Sequence, residues 1–225
     1  MHPEDLSFRD RADAGRQLVP RLRPYAAQHP VVLALPRGGV PVAFEVAKGL
    51  RAPLDLIFVR KIGAPGQAEF GLGAVVDGAH PQVVLNEEAI DRIGVPSGYI
   101  EEEIQRQLKE IERRREHYLA GRRPVDVGGR VAIVVDDGIA TGGTVRAALK
   151  GLSRAHPARL ILAVPVAPAD TVEQLRTEAD EVVCLMTPEP FYAVGEHYDD
   201  FRQTSDREVT TLLDEAQRWN REGAP

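Results

Sequence analysis

The sequence predicts an α/β fold built on a twisted, mainly parallel sheet flanked by helices. Three observations carry this expectation. Short, largely apolar runs recur at Val31–Leu35, Leu54–Val59, Arg130–Val135, Leu160–Val166 and Glu181–Met186. Runs without polar alternation suit strands covered on both faces. Stretches with helical spacing of apolar residues lie between them, and alternation of the two types is the pattern of a parallel-cored sheet.

The elements follow in order. Phe8, Ala12, Leu18, Leu22 and Tyr25 recur at helical spacing, so residues 8–28 read as a helix that Pro30 ends. Val31–Leu35 is the first core strand and Pro36-Arg-Gly-Gly39 a tight loop. Val40–Leu50 reads as a helix, Pro53 breaks it, and Leu54–Val59 is the second strand, closing on Arg60-Lys61. Residues 62–80 are rich in glycine and read as a loop followed by a hairpin. Val83–Leu85 is a short strand. Ser97 is the expected cap of a long helix reaching about Leu119, with Ile100, Ile104, Leu108, Ile111 and Tyr118 on one stripe and Glu and Arg on the other faces. Gly128-Gly129 separates it from the strand Arg130–Val135. A loop over Asp136–Thr144, a helix over Val145–Ala155, a strand over Leu160–Val166 and a helix over Asp170–Ala179 follow. The chain continues with a strand over Glu181–Met186, an irregular loop over Thr187–Asp200 and a last helix over Glu208–Glu222.

Composition narrows the function. Net charge is −6 with no basic tract, which argues against a nucleic-acid binder. The longest apolar runs fall far short of the roughly 20 residues of a membrane helix. The one cysteine, Cys184, excludes an internal disulfide framework and sits in a strand-like run, where a buried structural thiol is expected. The expected location is the cytoplasm, with no membrane partner. The six His show no metal-binding spacing.

The chemically informative stretch is Val131-Ala-Ile-Val-Val-Asp-Asp-Gly-Ile-Ala-Thr-Gly-Gly-Thr144. An apolar strand runs into two adjacent carboxylates, then a Gly- and Thr-rich turn, then a helix. Ligands of open parallel sheets bind beyond the carboxyl ends of the strands. Backbone N–H groups ahead of a helix suit a phosphate, and Gly142 and Gly143 let the chain curl around it. Thr141 and Thr144 add hydroxyls. Asp136 and Asp137 can accept hydrogen bonds from a diol. A ribose 5-phosphate offers both partners. The spacing from Gly138 to Gly143 fits a P-loop, but Thr144 stands where that motif needs Lys, so triphosphate hydrolysis is not expected. A second anion loop is expected at Leu35-Pro-Arg-Gly-Gly39, where backbone N–H groups and Arg37 converge ahead of a helix.

Val134–Thr144 resembles the phosphoribosyl-pyrophosphate motif of the type I phosphoribosyltransferases, in the form most like adenine phosphoribosyltransferases. The resemblance implies that fold for the whole chain, residues 1–225 as one domain. Its core would be about 31–186, with a long helical insertion and lid over about 63–129 and a hood from about 1–28 and 187–201. It implies that Asp136 and Asp137 hold the ribose hydroxyls and that Ala140, Thr141, Gly142, Gly143 and Thr144 hold the 5′-phosphate. Arg37, Gly38 and Gly39 would bind pyrophosphate, with Lys61 a further candidate, and Asp136, Asp137 and Arg37 would form the catalytic set. Phe191–Asp200 is similar to the base-recognition segment of hypoxanthine-type members. Tyr192 is then the aromatic that stacks on the acceptor, Val194 lies beside it, and Asp199 falls where that group has a metal-associated carboxylate. Those members carry a third Asp in the turn. Ala140 stands there in this chain, so hypoxanthine or guanine is not the expected acceptor.

The activity implied is a Mg²⁺-dependent transfer belonging to nucleotide metabolism. A nitrogen nucleophile, expected to be a nucleobase, displaces pyrophosphate from ribose C1 of 5-phosphoribosyl 1-pyrophosphate (PRPP). By analogy the assembly is a homodimer. The alternative is a sensor or regulatory protein of the same fold that binds PRPP without turnover.

Overall fold

The computed structural model describes residues 7–222. Its centre is a five-stranded sheet made of β1 (Val31–Ala34), β2 (Leu54–Leu56), β6 (Val131–Val135), β7 (Arg159–Val166) and β8 (Glu181–Met186), in the order β2-β1-β6-β7-β8. Every neighbouring pair is parallel. A separate three-stranded antiparallel sheet holds β3 (Val59–Ala64), β4 (Gln67–Val76) and β5 (Gln82–Leu85).

The period of two along each central strand divides the core into layers. Val32, Ala34, Ile133, Val135, Ile161 and Ala163 face α1 (Arg11–Leu22), α2 (Gly39–Leu50) and α7 (Asp206–Glu222). Val31, Leu33, Ala132, Val134, Leu160 and Leu162 face α5 (Gly143–Ser153) and α6 (Ala169–Leu175). Ile133, Ile161 and Leu162 are fully buried, and each such side chain contributes about 1.5–3 kcal/mol. β1 and β6 lie between layers on both faces, which explains their unbroken apolar composition.

Several local expectations are corrected. The first helix starts at Arg11, because the Asp10 carboxylate caps it by accepting the Asp13 amide at 2.7 Å. Beyond Leu22 it tightens into a 3₁₀ turn over Arg23–Gln28. The second core strand stops at Leu56, and β3 begins at Val59. Residues 62–80 are not a loop and a later hairpin: β3 and β4 pair from Val59 to Gln67, and Ala64–Gln67 is their connection. The α3 helix (Glu87–Ile93), absent from the sequence reading, is capped by the Asn86 side chain accepting the Ala89 amide at 3.1 Å. The α4 helix (Tyr99–Leu119) starts after Gly98, not on a Ser97 side-chain cap. α5 begins at Gly143, two residues earlier than expected, and α6 ends at Leu175.

The antiparallel sheet packs on α5, and α4 packs on β3. Arg115 on α4 fastens this unit to the core: Nη1 donates to Asp77 at 2.5 Å, and Nη2 donates to Asp55 at 3.1 Å. Asp55 and Asp77 are both buried. Burial pushes the Asp77 carboxyl up, against the opposing pull of Arg115.

Candidate active site

The strand order reverses direction between β1 and β6. The chain leaves β1 for β2 on one side, whereas β7 and β8 lie on the other. Such a switch point opens a crevice at the carboxyl ends of its two strands. The loops there are Leu35–Gly39 after β1 and Asp136–Gly142 after β6, the two that the sequence singled out. They touch. Leu35 donates its amide to the Val135 carbonyl at 3.0 Å. A Cβ on Gly38 would collide with the Asp137 carboxylate, and one on Gly39 would stand 2.8 Å from the Val135 carbonyl oxygen. Glycine at 38 is what lets one loop lie against the carboxylate of the other.

The acidic pair is half-buried. Asp136 Oδ1 accepts the Asp137 amide at 2.9 Å. Burial, then the neighbouring Asp137, push the Asp136 carboxyl well above the ordinary range. Burial also raises Asp137, against the pull of Arg11. Arg11, the first residue of α1, donates from Nε to Asp137 Oδ2 at 2.7 Å. Tyr198 donates its hydroxyl to the Asp137 carbonyl at 2.5 Å. Neither Arg11 nor Tyr198 was singled out in the sequence. Arg11 is 126 residues from its partner, and only the fold joins them.

The turn after the pair leads into the N-terminus of α5. Gly142, at φ +74°, is the residue before the helix. The first bond along the helix runs from the Arg146 amide to the Gly142 carbonyl at 2.8 Å. The amides of Gly143, Thr144 and Val145 therefore have no intrahelical acceptor. Thr141, Gly143 and Thr144 are exposed, and a Cβ on Gly143 would meet nothing within 4 Å. The Ala140 carbonyl accepts the Thr171 hydroxyl at 3.0 Å, so the turn is fixed from α6 while its amide side stays open. Two clefts, of about 650 and about 690 Å³, reach Thr144, and Lys61 lines both.

Of the remaining candidates, Arg37, Val194 and Asp199 have partners of their own. Arg37 pairs with Asp206 at 3.3 Å. Tyr192 is 75% exposed on the 187–200 loop. Val194 lies on the Asp137–Ile139 loop, where a Cβ on Gly138 would stand 2.5 Å from one of its methyls. Asp199 Oδ1 accepts the Ser7 hydroxyl at 2.6 Å. The 187–200 segment is joined to the N-terminal segment by backbone bonds: Phe8 amide to His197 carbonyl at 2.9 Å, and Asp199 amide to Phe8 carbonyl at 2.8 Å. Near the β3–β4 connection, Tyr99 donates to the Gly63 carbonyl at 2.9 Å, which ties that hairpin to α4. Cys184 is partly buried, and burial pushes its thiol up to about 11, a value unsuited to a nucleophile.

Residues 11–200 match the model of the phosphoribosyl transferase domain. The chain belongs to the phosphoribosyltransferase family. It is 49% identical over 213 residues to a protein of Mycobacterium tuberculosis H37Rv that is a phosphoribosyl transferase by name, covering 94% of this chain and 47% of that protein. The counterpart in strain CDC 1551 matches over the same share. The chain thus spans about half the length of the curated relatives it matches. The crystal structure of TT1426 from Thermus thermophilus superposes with a TM-score of 0.80 at 44% identity, covering 93% of this chain and 98% of that one. The mixed fold with its parallel central sheet is the type I phosphoribosyltransferase architecture expected from the sequence. No helix of the described residues is long and apolar enough to cross a membrane.

Proposed function

We propose that the chain transfers a phosphoribosyl group from PRPP to a nitrogen nucleophile at the crevice between β1 and β6. The observation that carries this reading is the contact of Gly38 with the Asp137 carboxylate. It sets an anion loop directly against a pair of diol acceptors, with the open N-terminus of α5 at the far end of the same loop. One ligand with a pyrophosphate, a diol and a terminal phosphate spans those three positions.

In this reading Asp136 and Asp137 accept from the ribose hydroxyls, and Ala140–Thr144 receive the 5′-phosphate on backbone amides and hydroxyls. Arg37, Gly38 and Gly39 hold the pyrophosphate. Lys61 adds a cation from the hairpin side. The acceptor nitrogen attacks C1 from the face opposite the pyrophosphate. The C1–O bond breaks, both electrons leave with pyrophosphate, and the acceptor nitrogen gives its proton to the departing pyrophosphate. These residues bind and orient, so the rate comes from positioning and electrostatics. Tyr192 and Val194 contribute the acceptor side, and a nucleobase is the favoured acceptor. The β3–β4 connection at Ala64–Gln67 is the proposed lid, which keeps water from the reacting carbon.

The residues fit Mg²⁺ as an ion carried on substrate oxygens. Among the described residues no group of three or more His, Cys, Asp or Glu is placed to hold a metal. Asp136 is the member of the pair not bonded to Arg11, and Asp199 is a further candidate from the hood. When bound with PRPP, the ion would neutralise charge on the pyrophosphate.

The test is calorimetric titration with Mg²⁺ and PRPP. Saturable binding is expected, weakening by about 2–4 kcal/mol in Asp136→Asn/Asp137→Asn, from two charge-assisted hydrogen bonds lost. Unchanged affinity in the double variant would remove the acidic pair from the site.

A further inference from the structure

The Asp137 carboxylate is engaged by Arg11. Arg11 Nε meets Oδ2 at 2.7 Å, and the two side chains are only 11% and 15% exposed. The same guanidinium donates from Nη1 to the Arg202 carbonyl at 2.7 Å and lies 3.9 Å from the centroid of the Phe201 ring. Phe201 in turn packs on Tyr198, with ring centroids 5.0 Å apart. Tyr198 donates to the Asp137 backbone carbonyl. One arginine therefore joins three parts of the chain: the start of α1, the 198–202 segment and the acidic pair. The Asp10 cap fixes its own backbone.

This arrangement does more than add a counter-ion. A guanidinium offers a rigid fork of donors and never loses its proton. Bonded at Oδ2, it stops the carboxylate from rotating and leaves Oδ1 as the acceptor for an incoming hydroxyl.

We propose that Arg11 is a positioning residue for ribose recognition: braced on the Arg202 carbonyl, it holds Asp137 Oδ2 and fixes the carboxylate in the orientation that a ribose diol requires. The inference rests on the assignment of PRPP to this crevice. It predicts that Arg11 affects ligands carrying the ribose diol and leaves recognition of bare pyrophosphate alone.

The experiment measures affinities for Mg²⁺-PRPP and for Mg²⁺-pyrophosphate, by calorimetry, in wild type, Arg11→Gln, Arg11→Lys, Asp137→Asn and Arg11→Gln/Asp137→Asn. The expected result is a loss of about tenfold or more in PRPP affinity for Arg11→Gln, with pyrophosphate within about twofold. Arg11→Lys recovers part of the loss, because it restores the charge without the fork. In the Asp137→Asn background, Arg11→Gln changes PRPP affinity little, because the two residues act as a unit. Equal weakening of both ligands assigns Arg11 to general support of the fold and overturns the proposal. So does a multiplicative loss in the double variant, or PRPP affinity equal to wild type in Arg11→Gln. If Arg11→Gln does not fold, Arg11→Lys decides, since a loss confined to PRPP supports the proposal and no such split overturns it. Wild type that fails to bind PRPP at all removes the PRPP assignment itself. Wild type that binds while Arg11→Gln binds equally well removes only the role of Arg11.

Discussion

Arg37 and Asp206 form an ion pair, 3.3 Å from Nη1 to Oδ1, that joins the Pro36–Gly39 turn to the first residue of α7. Asp206 also accepts the Tyr118 hydroxyl at 2.6 Å and lies 3.4 Å from His117 Nε2. The arginine proposed to receive pyrophosphate is thus shared with a half-exposed carboxylate. An incoming pyrophosphate competes for that guanidinium. Asp206→Ala is expected to tighten pyrophosphate binding by about 3–10-fold, because a charge-assisted bond no longer has to be exchanged. Titration with Mg²⁺-pyrophosphate checks it. Weaker binding in the variant shows instead that Asp206 orients Arg37 for the ligand.

The acidic pair sets a second expectation, through pH. The Asp136 carboxyl is held well above the ordinary range by burial and by Asp137. A carboxyl raised on folding contributes stability below its unfolded value and loses it as pH rises through the folded value. Ionising Asp136 in the folded protein therefore costs stability. Asp136→Asn should raise the melting temperature near pH 7–8 by about 2–4 °C, the shift for roughly 1 kcal/mol in a domain of this size. The gain should vanish toward acid, where wild type is protonated. Thermal melts across pH decide it. A variant less stable than wild type at pH 8 means that Asp136 is a structural residue.

Two glycines separate the phosphate seat from simple packing. A Cβ on Gly143 meets nothing within 4 Å, whereas one on Gly38 runs into the Asp137 carboxylate. Gly143→Ala should fold and melt as wild type but bind PRPP at least about tenfold more weakly, because its methyl enters the space in front of the α5 amides. Gly38→Ala should displace one of the two loops and lose binding together with some stability. Wild-type PRPP affinity in Gly143→Ala would move the 5′-phosphate elsewhere.

The chain's legibility as a sequence divides along the same lines. β1 and β6 are readable because burial on both faces leaves their apolar runs unbroken. The site loops are readable because they begin where those runs stop. The β3–β4 hairpin is obscured by glycine. Gly63, Gly66, Gly71 and Gly73 interrupt the alternation by which a strand is recognised, although a Cβ on Gly73 would collide with the Val84 carbonyl of the paired β5 strand. α3 is too short to show a period. Arg11 and Tyr198 look like ordinary surface and loop residues. Their bonds to Asp137 depend on the hood segment returning to the first helix, and no local pattern encodes that.

The α4 unit makes a stability prediction independent of function. Arg115 is the shared partner of two buried carboxylates, Asp55 and Asp77. Removing one partner of a buried pair leaves uncompensated charge, at a cost of about 3–5 kcal/mol. Arg115→Met should lower stability by that order in denaturant unfolding. The loss should ease at acid pH, where Asp77, raised by burial, protonates. A loss below about 1 kcal/mol would show that α4 is held by its apolar stripe alone.

The most direct test of the account measures pyrophosphate and ribosylated product in one reaction containing PRPP, Mg²⁺ and a panel of nitrogenous acceptors. The account predicts pyrophosphate equal to product with at least one acceptor, abolished in Asp136→Asn/Asp137→Asn. It also predicts that Arg37→Ala lowers turnover more than affinity, since contacts that strengthen as pyrophosphate leaves act on the rate. Tight PRPP binding by wild type with no pyrophosphate released for any acceptor, and an Arg37→Ala effect on affinity alone, would contradict a transferase and identify a PRPP sensor.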